Sequence, residues 1–247
     1  MKYSQDFFYK IKEADKFYDR WIINNKHEYF STTNKNLRKE KLNILNFLKS
    51  KINLKKKTIL EIGCFVGDLL FFLKKNYNCN VFGIDASKKA CNFSKKYFNL
   101  KIENKIFIES QYFKIKKKNF EKFDIIICDD VLSWMSRKNI IQTLSSIDYI
   151  LKENGYIFFK DYLVKKNFCF KNHHYPKEKI YSFKQEGGHK KIFLWSGRYK
   201  LIFEKILVSE EFQKVKIKDK KANTWSYSII RKKKDFTHPI KNFSDKI

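Results

Sequence analysis

The stretch TILEIGCFVGDLL, residues 58–70, places an apolar run directly before two glycines and a second apolar run. The first run has the length of a buried strand, and the leucines after Gly67 recur at helical spacing. Gly63 and Gly67 mark a turn between the two elements. A strand, a glycine turn and a helix in this order are typical of a loop that holds a nucleotide-like cofactor.

Short apolar runs and helical patterns alternate along the chain from Thr58 onward. The apolar runs predict strands in TILEI, NVFGID, KIFIE, FDIIICD and YIFFKDYL, and YKLIFEKILV and TWSYSIIRKK predict two closing strands. Such alternation is typical of an α/β fold, in which helices cover both faces of a parallel sheet.

The chain of 247 residues fits one α/β domain with additions better than two domains. We predict an N-terminal helical cap over 1–57, which contains the amphipathic helix NLRKEKLNILNFLKS, and the domain proper over 58–232. A substrate-side insertion at 164–200 has no clean period, apart from a short predicted helix in KKIFLWSG. The last residues, 233–247, form a tail.

The net charge of +28 would suit a nucleic-acid partner. However, only five of the 54 basic residues are arginine, the side chain preferred for bidentate phosphate and guanine contacts. The lysines are also spread along the whole chain. The composition therefore favours a solvated lysine surface and disfavours a nucleic-acid partner, while weak non-specific RNA binding stays open.

The five cysteines contain no C-x-x-C pair and lie mostly among apolar residues, as is typical of a reducing compartment. The N-terminus has charges throughout and no apolar signal core. No run approaches the ~18 uncharged apolar residues of a membrane span. We therefore expect a cytoplasmic protein without a membrane span.

Carboxylates follow nearly every predicted strand, at the sheet edge where open α/β folds bind their ligands. Asp85 closes the second strand, about 20 residues beyond the glycine turn, where a carboxylate suits the two hydroxyls of a ribose. The turn lacks the Lys-Ser/Thr of a P-loop, and Glu61 would repel a bound anion. The pattern therefore favours a positively charged nucleoside without a pyrophosphate.

Four segments, in order, resemble the core of the class I S-adenosylmethionine-dependent methyltransferases: LEIGCFVGD, GIDAS, FDIIICDDVLSWM and LKENGYIFFKD. The resemblance covers about residues 58–160. It implies a Rossmann-like seven-stranded mixed sheet, here with an N-terminal helical cap and an insertion after strand five. It also implies S-adenosyl-L-methionine as cofactor and S-adenosyl-L-homocysteine as product.

The resemblance implies roles for individual residues. Gly63 and Gly67 would let the backbone approach the methionine part of the cofactor, Glu61 would order the loop or the cofactor amine, and Asp85 would bind the ribose. Phe65 replaces the middle glycine of the family pattern and would shape the pocket. The expected cofactor-binding residues are Glu61, Gly63, Cys64, Phe65, Gly67, Asp85, Ala86, Glu109, Ser110, Asp129, Asp130 and Val131.

The acceptor side is predicted in the N-terminal segment and in the irregular stretch after the fifth strand. Histidine is a natural base at neutral pH, and aromatic side chains suit sugar rings or planar acceptors. No metal is expected, because adjacent histidines point apart on an extended chain. The catalytic candidates are His173, His174 and Asp161, and the substrate-binding candidates are Tyr175, Tyr181 and Trp195.

This stretch loosely resembles methyltransferases of bacterial surface-polysaccharide and nucleotide-sugar pathways, which implies O-methylation of a sugar or nucleotide-sugar hydroxyl on a small-molecule acceptor. The segment CDDVL lacks the prolines typical of DNA methyltransferases, which favours a core role for Cys128. Two alternatives stay open: an RNA or protein methyltransferase that uses the lysine surface, and an inactive binding subunit of the same fold. The G-x-x-x-G spacing disfavours a dinucleotide enzyme. The sequence indicates no oligomeric state.

Overall fold

The structure, a computed structural model, describes residues 18–20, 22–23, 37–104, 121–135, 137–164, 168–171, 181–208 and 224–234. A 3₁₀ turn at Leu132–Trp134 follows the fourth strand. The helices and strands are α1 Lys39–Lys49, β1 Thr58–Ile62, α2 Asp68–Tyr77, β2 Asn80–Asp85, α3 Lys88–Phe98, β3 Ile102–Asn104, β4 Phe123–Asp129, α4 Arg137–Ile150, β5 Leu151–Leu163, β6 Phe168–Lys171, β7 Tyr181–Lys184, α5 Lys190–Trp195, β8 Tyr199–Val208 and β9 Thr224–Lys232.

Seven of these strands form one mixed sheet in the order β3-β2-β1-β4-β5-β9-β8. The first five are parallel, whereas β9 is antiparallel to both β5 and β8. The predicted seven-stranded mixed sheet is confirmed. The chain runs outward from β1 to β3 and then returns to β4 on the other side of β1. This reversal places a crevice at the carboxyl ends of β1 and β4.

The two faces of the sheet bury separate clusters of side chains. Ile125 and Ile127 of β4 pack with Leu48 of α1, whereas Ile126 and Cys128 belong to the cluster that contains α4 and α5. Alternate residues of a strand point to opposite faces, so a strand covered on both faces is apolar throughout. This burial explains the continuous apolar run of β4, and it confirms the predicted core position of Cys128.

The N-terminal cap contacts the loops at the carboxyl edge of the sheet. Residues 18–20 and 22–23 are helical, and Ile22 is buried in the cluster beside the glycine turn. Asp19 Oδ1 accepts hydrogen bonds from Ser87 Oγ at 2.6 Å and from the backbone N–H of Lys89 at 3.0 Å. These contacts fix the cap to the start of α3.

Two predicted elements differ from the structure. The third strand was expected over residues 105–109, which lie outside the described residues. The described third strand is Ile102–Asn104, because these residues pair with the last half of β2. The insertion was expected to be irregular, yet β6 and β7 form an antiparallel pair, and β7 lies against the 3₁₀ turn. Each of these two strands is only four residues long, too short to show a period.

Four cysteines, Cys64, Cys79, Cys91 and Cys128, are buried and free, and burial raises the pKa of each thiol.

Within the described ranges, no helix is long and apolar enough to cross a membrane.

Ser87 caps α3, since its Oγ accepts a hydrogen bond from the N–H of Ala90 at 3.1 Å. We expect Ser87→Ala to lower the free energy of unfolding by about 1 to 2 kcal/mol, as for other lost caps. Ser50→Ala is the control, because this exposed hydroxyl donates to Phe47 O at a helix C-terminus, and we expect a change below ~0.5 kcal/mol. Urea unfolding measures both, and equal losses would contradict the capping role.

Candidate active site

The glycine turn folds back on the end of β2 through three left-handed residues. Gly63, Phe65 and Gly67 have φ angles of 69°, 52° and 74°. The N–H of Gly63 donates to Ile84 O at 2.9 Å, which joins the turn to the neighbouring strand. A Cβ at Gly63 would also lie 2.4 Å from Val131 Cγ2. Glycine is therefore required at 63 both by the backbone conformation and by close packing.

Asp85 holds the turn at the position where the family pattern has its middle glycine. Its Oδ2 accepts a hydrogen bond from the N–H of Phe65 at 2.7 Å, and its Oδ1 accepts one from the N–H of Ser87 at 2.8 Å. A left-handed non-glycine residue costs of order 1 kcal/mol or more, which a hydrogen bond to a carboxylate offsets. Burial raises the pKa of Asp85 to about 6, although both N–H groups act against the rise.

Glu61 and Asp129 lie at the carboxyl ends of the adjacent strands β1 and β4. Lys41 of α1 lies between the two carboxylates. Lys41 Nζ donates to Glu61 Oε1 at 3.0 Å and to Asp129 Oδ2 at 2.7 Å. Lys41 is not among the site residues predicted from the sequence, although its position in α1 carries a signal. Lys41 lies on the same helical stripe as the buried residues Ile44 and Leu48 of α1 and as Leu37, which precedes the helix. A residue on this stripe is expected to be buried.

The Lys41 ammonium group donates to two carboxylates, and the pKa values of these two carboxyl groups differ. Burial opposes the ionisation of Asp129, but Lys41 and Lys160 outweigh it and lower the pKa of Asp129 to about 2. Burial dominates at Glu61 and raises its pKa to about 7, despite Lys41. Glu61 Oε2 is buried and has no hydrogen-bond partner among the described residues. A buried acceptor without a partner is a candidate to bind a cationic group of a cofactor, such as an α-ammonium.

The next carboxylate, Asp130, lies beside a group of aromatic rings. Its Oδ1 accepts a hydrogen bond from Ser133 Oγ at 2.8 Å, and Trp134 Nε1 lies 3.5 Å from its Oδ2. The Tyr18 ring lies 5.9 Å from the Phe65 ring and 6.2 Å from the Trp134 ring, measured between centroids. We call Tyr18, Phe65 and Trp134 the aromatic edge. All three, and Asp130 itself, are half-buried, so they can contact a ligand.

Lys184 of β7 approaches the same carboxylate from the insertion. Its Nζ lies 4.0 Å from Asp130 Oδ1 and 3.2 Å from the centroid of the Tyr162 ring. Burial lowers the pKa of Lys184 to about 8, although Asp130 and Asp161 favour its charged form. Burial also raises the pKa of Asp130, against the effect of Lys184. The β6–β7 pair therefore reaches the carboxyl end of β4.

Asp161, a predicted catalytic candidate, is bound to His189 at the start of α5. Its Oδ2 accepts hydrogen bonds from the N–H of His189 at 2.5 Å and from His189 Nδ1 at 2.7 Å. Burial opposes the ionisation of Asp161, but His189 outweighs it and lowers the carboxyl pKa. Both side chains are buried. The pair joins β5 to the start of α5, and a catalytic role for Asp161 stays a prediction.

Most of the predicted cofactor residues meet at the ends of β1, β2 and β4. They are Glu61, Gly63, Cys64, Phe65, Gly67, Asp85, Ala86, Asp129, Asp130 and Val131. The Cys64 side chain is fully buried, so only its backbone faces the crevice. Asn104 is an addition that the sequence argument missed, since its Nδ2 donates to Asp85 O at 3.1 Å and to Ala86 O at 2.8 Å.

Other predicted site residues lie outside the described residues, namely Glu109, Ser110, His173, His174 and Tyr175. Tyr181 begins β7, but its side chain is not described. Trp195 is 69% exposed at the end of α5. Strand β8 begins four residues later, at the end of the sheet away from the carboxyl ends of β1 and β4. This position does not support its predicted substrate contact. The described part of the chain contains no cluster of three or more residues arranged to hold a metal.

Comparisons with known proteins show which family the chain resembles. The profile of a family described as "Methyltransferase domain" matches residues 53–231. An uncharacterized protein of Rickettsia prowazekii is 32% identical over 102 residues, which is 40% of this chain and 40% of that protein. A tRNA N(3)-methylcytidine methyltransferase of Schizosaccharomyces pombe is 28% identical over 171 residues, 65% of this chain and 59% of that protein. The chain thus spans about half the length of these curated relatives.

A solved structure shares the fold. It is the 1,6-didemethyltoxoflavin-N1-methyltransferase of Burkholderia thailandensis, with 1,6-didemethyltoxoflavin and S-adenosylhomocysteine bound. It is 11% identical, with a TM-score of 0.56, and the match covers 95% of this chain and 92% of that chain.

We expect Asp85→Ala to weaken the binding of S-adenosylhomocysteine roughly 100-fold, since each hydrogen bond to a charged group contributes about 1.5–3 kcal/mol. Isothermal titration calorimetry measures the loss. Asp124→Ala is the control, because Asp124 also accepts a backbone hydrogen bond, from Thr58, but at the opposite end of β1. Near-wild-type affinity of the Asp85 variant would refute the ribose assignment.

We expect the affinity for S-adenosylhomocysteine to rise about tenfold from pH 6 to pH 8, because a group with a pKa of about 7 loses its proton over this range. A raised pKa means that Glu61 is mostly protonated at pH 6, and only its ionised form attracts an ammonium group. Glu61→Gln removes this titration. Calorimetry across the pH range tests the idea, and an unchanged slope in Glu61→Gln would contradict it.

Proposed function

This chain belongs to the methyltransferase domain family, and we propose that it transfers a methyl group from S-adenosylmethionine to a ring nitrogen of an RNA base. The Schizosaccharomyces pombe relative, named for N(3)-methylcytidine in tRNA, supports an acceptor of this class. The sugar hydroxyl that the sequence predicted receives no support from the comparisons.

The observation that carries the proposal is the position of Asp130 beside the aromatic edge. A planar base suits a site bounded by the rings of Phe65 and Trp134, because aromatic faces stack on bases. Asp130 adds a half-exposed carboxylate at the same place. A flat acceptor that becomes positively charged fits this pair of features better than a sugar hydroxyl does.

The charge balance of the reaction gives the Asp130 carboxylate a role. When bound, S-adenosylmethionine supplies a methyl group on a positively charged sulfur. A ring nitrogen that carries no hydrogen, such as N3 of cytosine, donates its lone pair to the methyl carbon as the carbon–sulfur bond breaks, and the electron pair of that bond stays on sulfur. The positive charge therefore moves from the cofactor to the base, and no proton has to be removed. Asp130 stabilises the charge that develops on the base.

The residues of this chain also fit the cofactor. Glu61 Oε2, which has no partner among the described residues, would accept from the α-ammonium group, and Asp85 would accept from the ribose hydroxyls. Asn104 fixes the backbone carbonyls of Asp85 and Ala86, which would hold the ribose-binding carboxylate in place. The main work of the site is then alignment of the two reactants.

The test supplies methyl-labelled S-adenosylmethionine with either unmodified tRNA or a mixture of nucleotide-sugars, and follows the label. We expect the label in the RNA, on a base nitrogen after digestion to nucleosides. We also expect Asp130→Asn to lower kcat about tenfold or more with little change in KM, because the hydrogen-bonded carboxylate contributes about 1.5–3 kcal/mol.

Asp124→Asn is the matched control, since Asp124 lies at the amino end of β4, and we expect it to retain full kcat. His173→Ala and His174→Ala separate the two acceptor classes. Both keep their turnover if a ring nitrogen is methylated, and a fall in turnover would favour a hydroxyl that needs a base. Label found only in nucleotide-sugar would refute the proposal.

A further inference from the structure

A groove runs between α1 and the edge of the sheet formed by β8 and β9. Helix α1 packs over the central strands, and Phe203 and Leu207 of β8 are only partly buried against the same cluster. The space left there has a volume of about 510 Å³ and is open to solvent. Ligand sites in proteins have volumes of about 300–1,000 Å³, so the groove is large enough for a nucleotide. We call it the α1–β8 groove.

The lining of this groove is basic and polar. Asn43, Asn46 and Ser50 form one exposed stripe of α1, and Lys51 and Lys205 flank it. Among the described residues, the lining includes no carboxylate. The side-chain amides of Asn43 and Asn46 have no protein partner among the described residues. Two cations and free amide groups suit a phosphate with its ribose, because lysine attracts phosphate and amides bond to hydroxyls and base edges.

The aromatic floor of the groove is fixed by packing. The Phe47 and Tyr227 rings lie 5.4 Å apart, and Phe47 lies 5.5 Å from Phe203, between centroids. Lys51 Nζ lies 4.1 Å from the centroid of Phe203, which holds the ammonium at the groove wall. Lys51 is therefore held against an aromatic ring of the groove, and Lys205 is an exposed residue of β8 beside it.

Helix α1 contributes residues both to the carboxylate network and to the α1–β8 groove. Glu40 and Lys41 pair with groups of the network, and the groove stripe begins two residues after Lys41, at Asn43. Tyr227 lines the groove, and burial raises the pKa of its hydroxyl, against the opposing effect of Lys160. The stripe from Asn43 to Lys51 extends about 12 Å along the helix.

We propose that the α1–β8 groove binds the sugar–phosphate backbone of the RNA acceptor, away from the base that is methylated. The inference rests on the proposed RNA acceptor, and it assigns part of the lysine excess to a defined surface. Phosphate contacts of this kind position an RNA strand without reading its sequence.

The experiment measures the binding of a labelled single-stranded RNA by fluorescence anisotropy at several salt concentrations. We expect the double variant Lys51→Ala/Lys205→Ala to bind about tenfold more weakly and to reduce the salt slope by about 1.4, since each lost contact to a single strand lowers it by about 0.7. Lys51→Arg/Lys205→Arg restores binding. Lys74→Ala/Lys75→Ala is the matched control, because these exposed lysines end α2, outside the groove.

Affinity for S-adenosylhomocysteine checks that each variant is folded, and we expect it to be unchanged in all of them. Wild-type binding by the groove variant would overturn the groove proposal, whether or not RNA is methylated. RNA binding that depends on Lys51 and Lys205, together with methyl transfer only to a small molecule, would overturn the proposed function and leave the groove as an RNA site.

Discussion

The active-site end of this structure depends on one buried ammonium group that two carboxylates share. Parallel pairing of β1 and β4 brings Glu61 and Asp129 to the same edge, on strands about 4.8 Å apart. Two buried carboxylates at one edge of the sheet disfavour each other's ionisation, and Lys41, which donates to both, relieves the repulsion. Removing one partner of a buried ion pair costs about 3–5 kcal/mol. The position of α1 over the sheet is therefore tied to the charge of the site.

Of the two carboxylates that Lys41 contacts, Glu61 is the candidate to bind a further cation. Asp129 holds Lys41 more tightly and stays ionised, while Glu61 keeps one buried oxygen without a partner among the described residues. Asp85 fixes the left-handed Phe65 and so completes the wall of the crevice. The site thus combines net acidity with a turn that has no phosphate-binding lysine, which suits a positively charged nucleoside cofactor.

The surface around this crevice has a different character. Asp130 and the aromatic edge form a flat, acidic site at the end of β4, whereas the α1–β8 groove is basic and polar. A flat acceptor that gains positive charge on one part and carries phosphates on another would match both. The same helix, α1, contributes to the carboxylate network through one side and to the groove through another.

The sequence by itself determined the glycine turn and most strands of the seven-stranded sheet, because these follow from local periodicity and from turn chemistry. It also predicted a ribose-binding role for Asp85 from spacing within about 25 residues. The sequence also indicated that Lys41 is buried, because this charged residue lies on an apolar helical stripe. Only the tertiary structure decided which carboxylates Lys41 joins, that Asp161 binds His189, and that the insertion forms a strand pair. Those outcomes depend on contacts between residues far apart in the chain, whose partners no local pattern specifies.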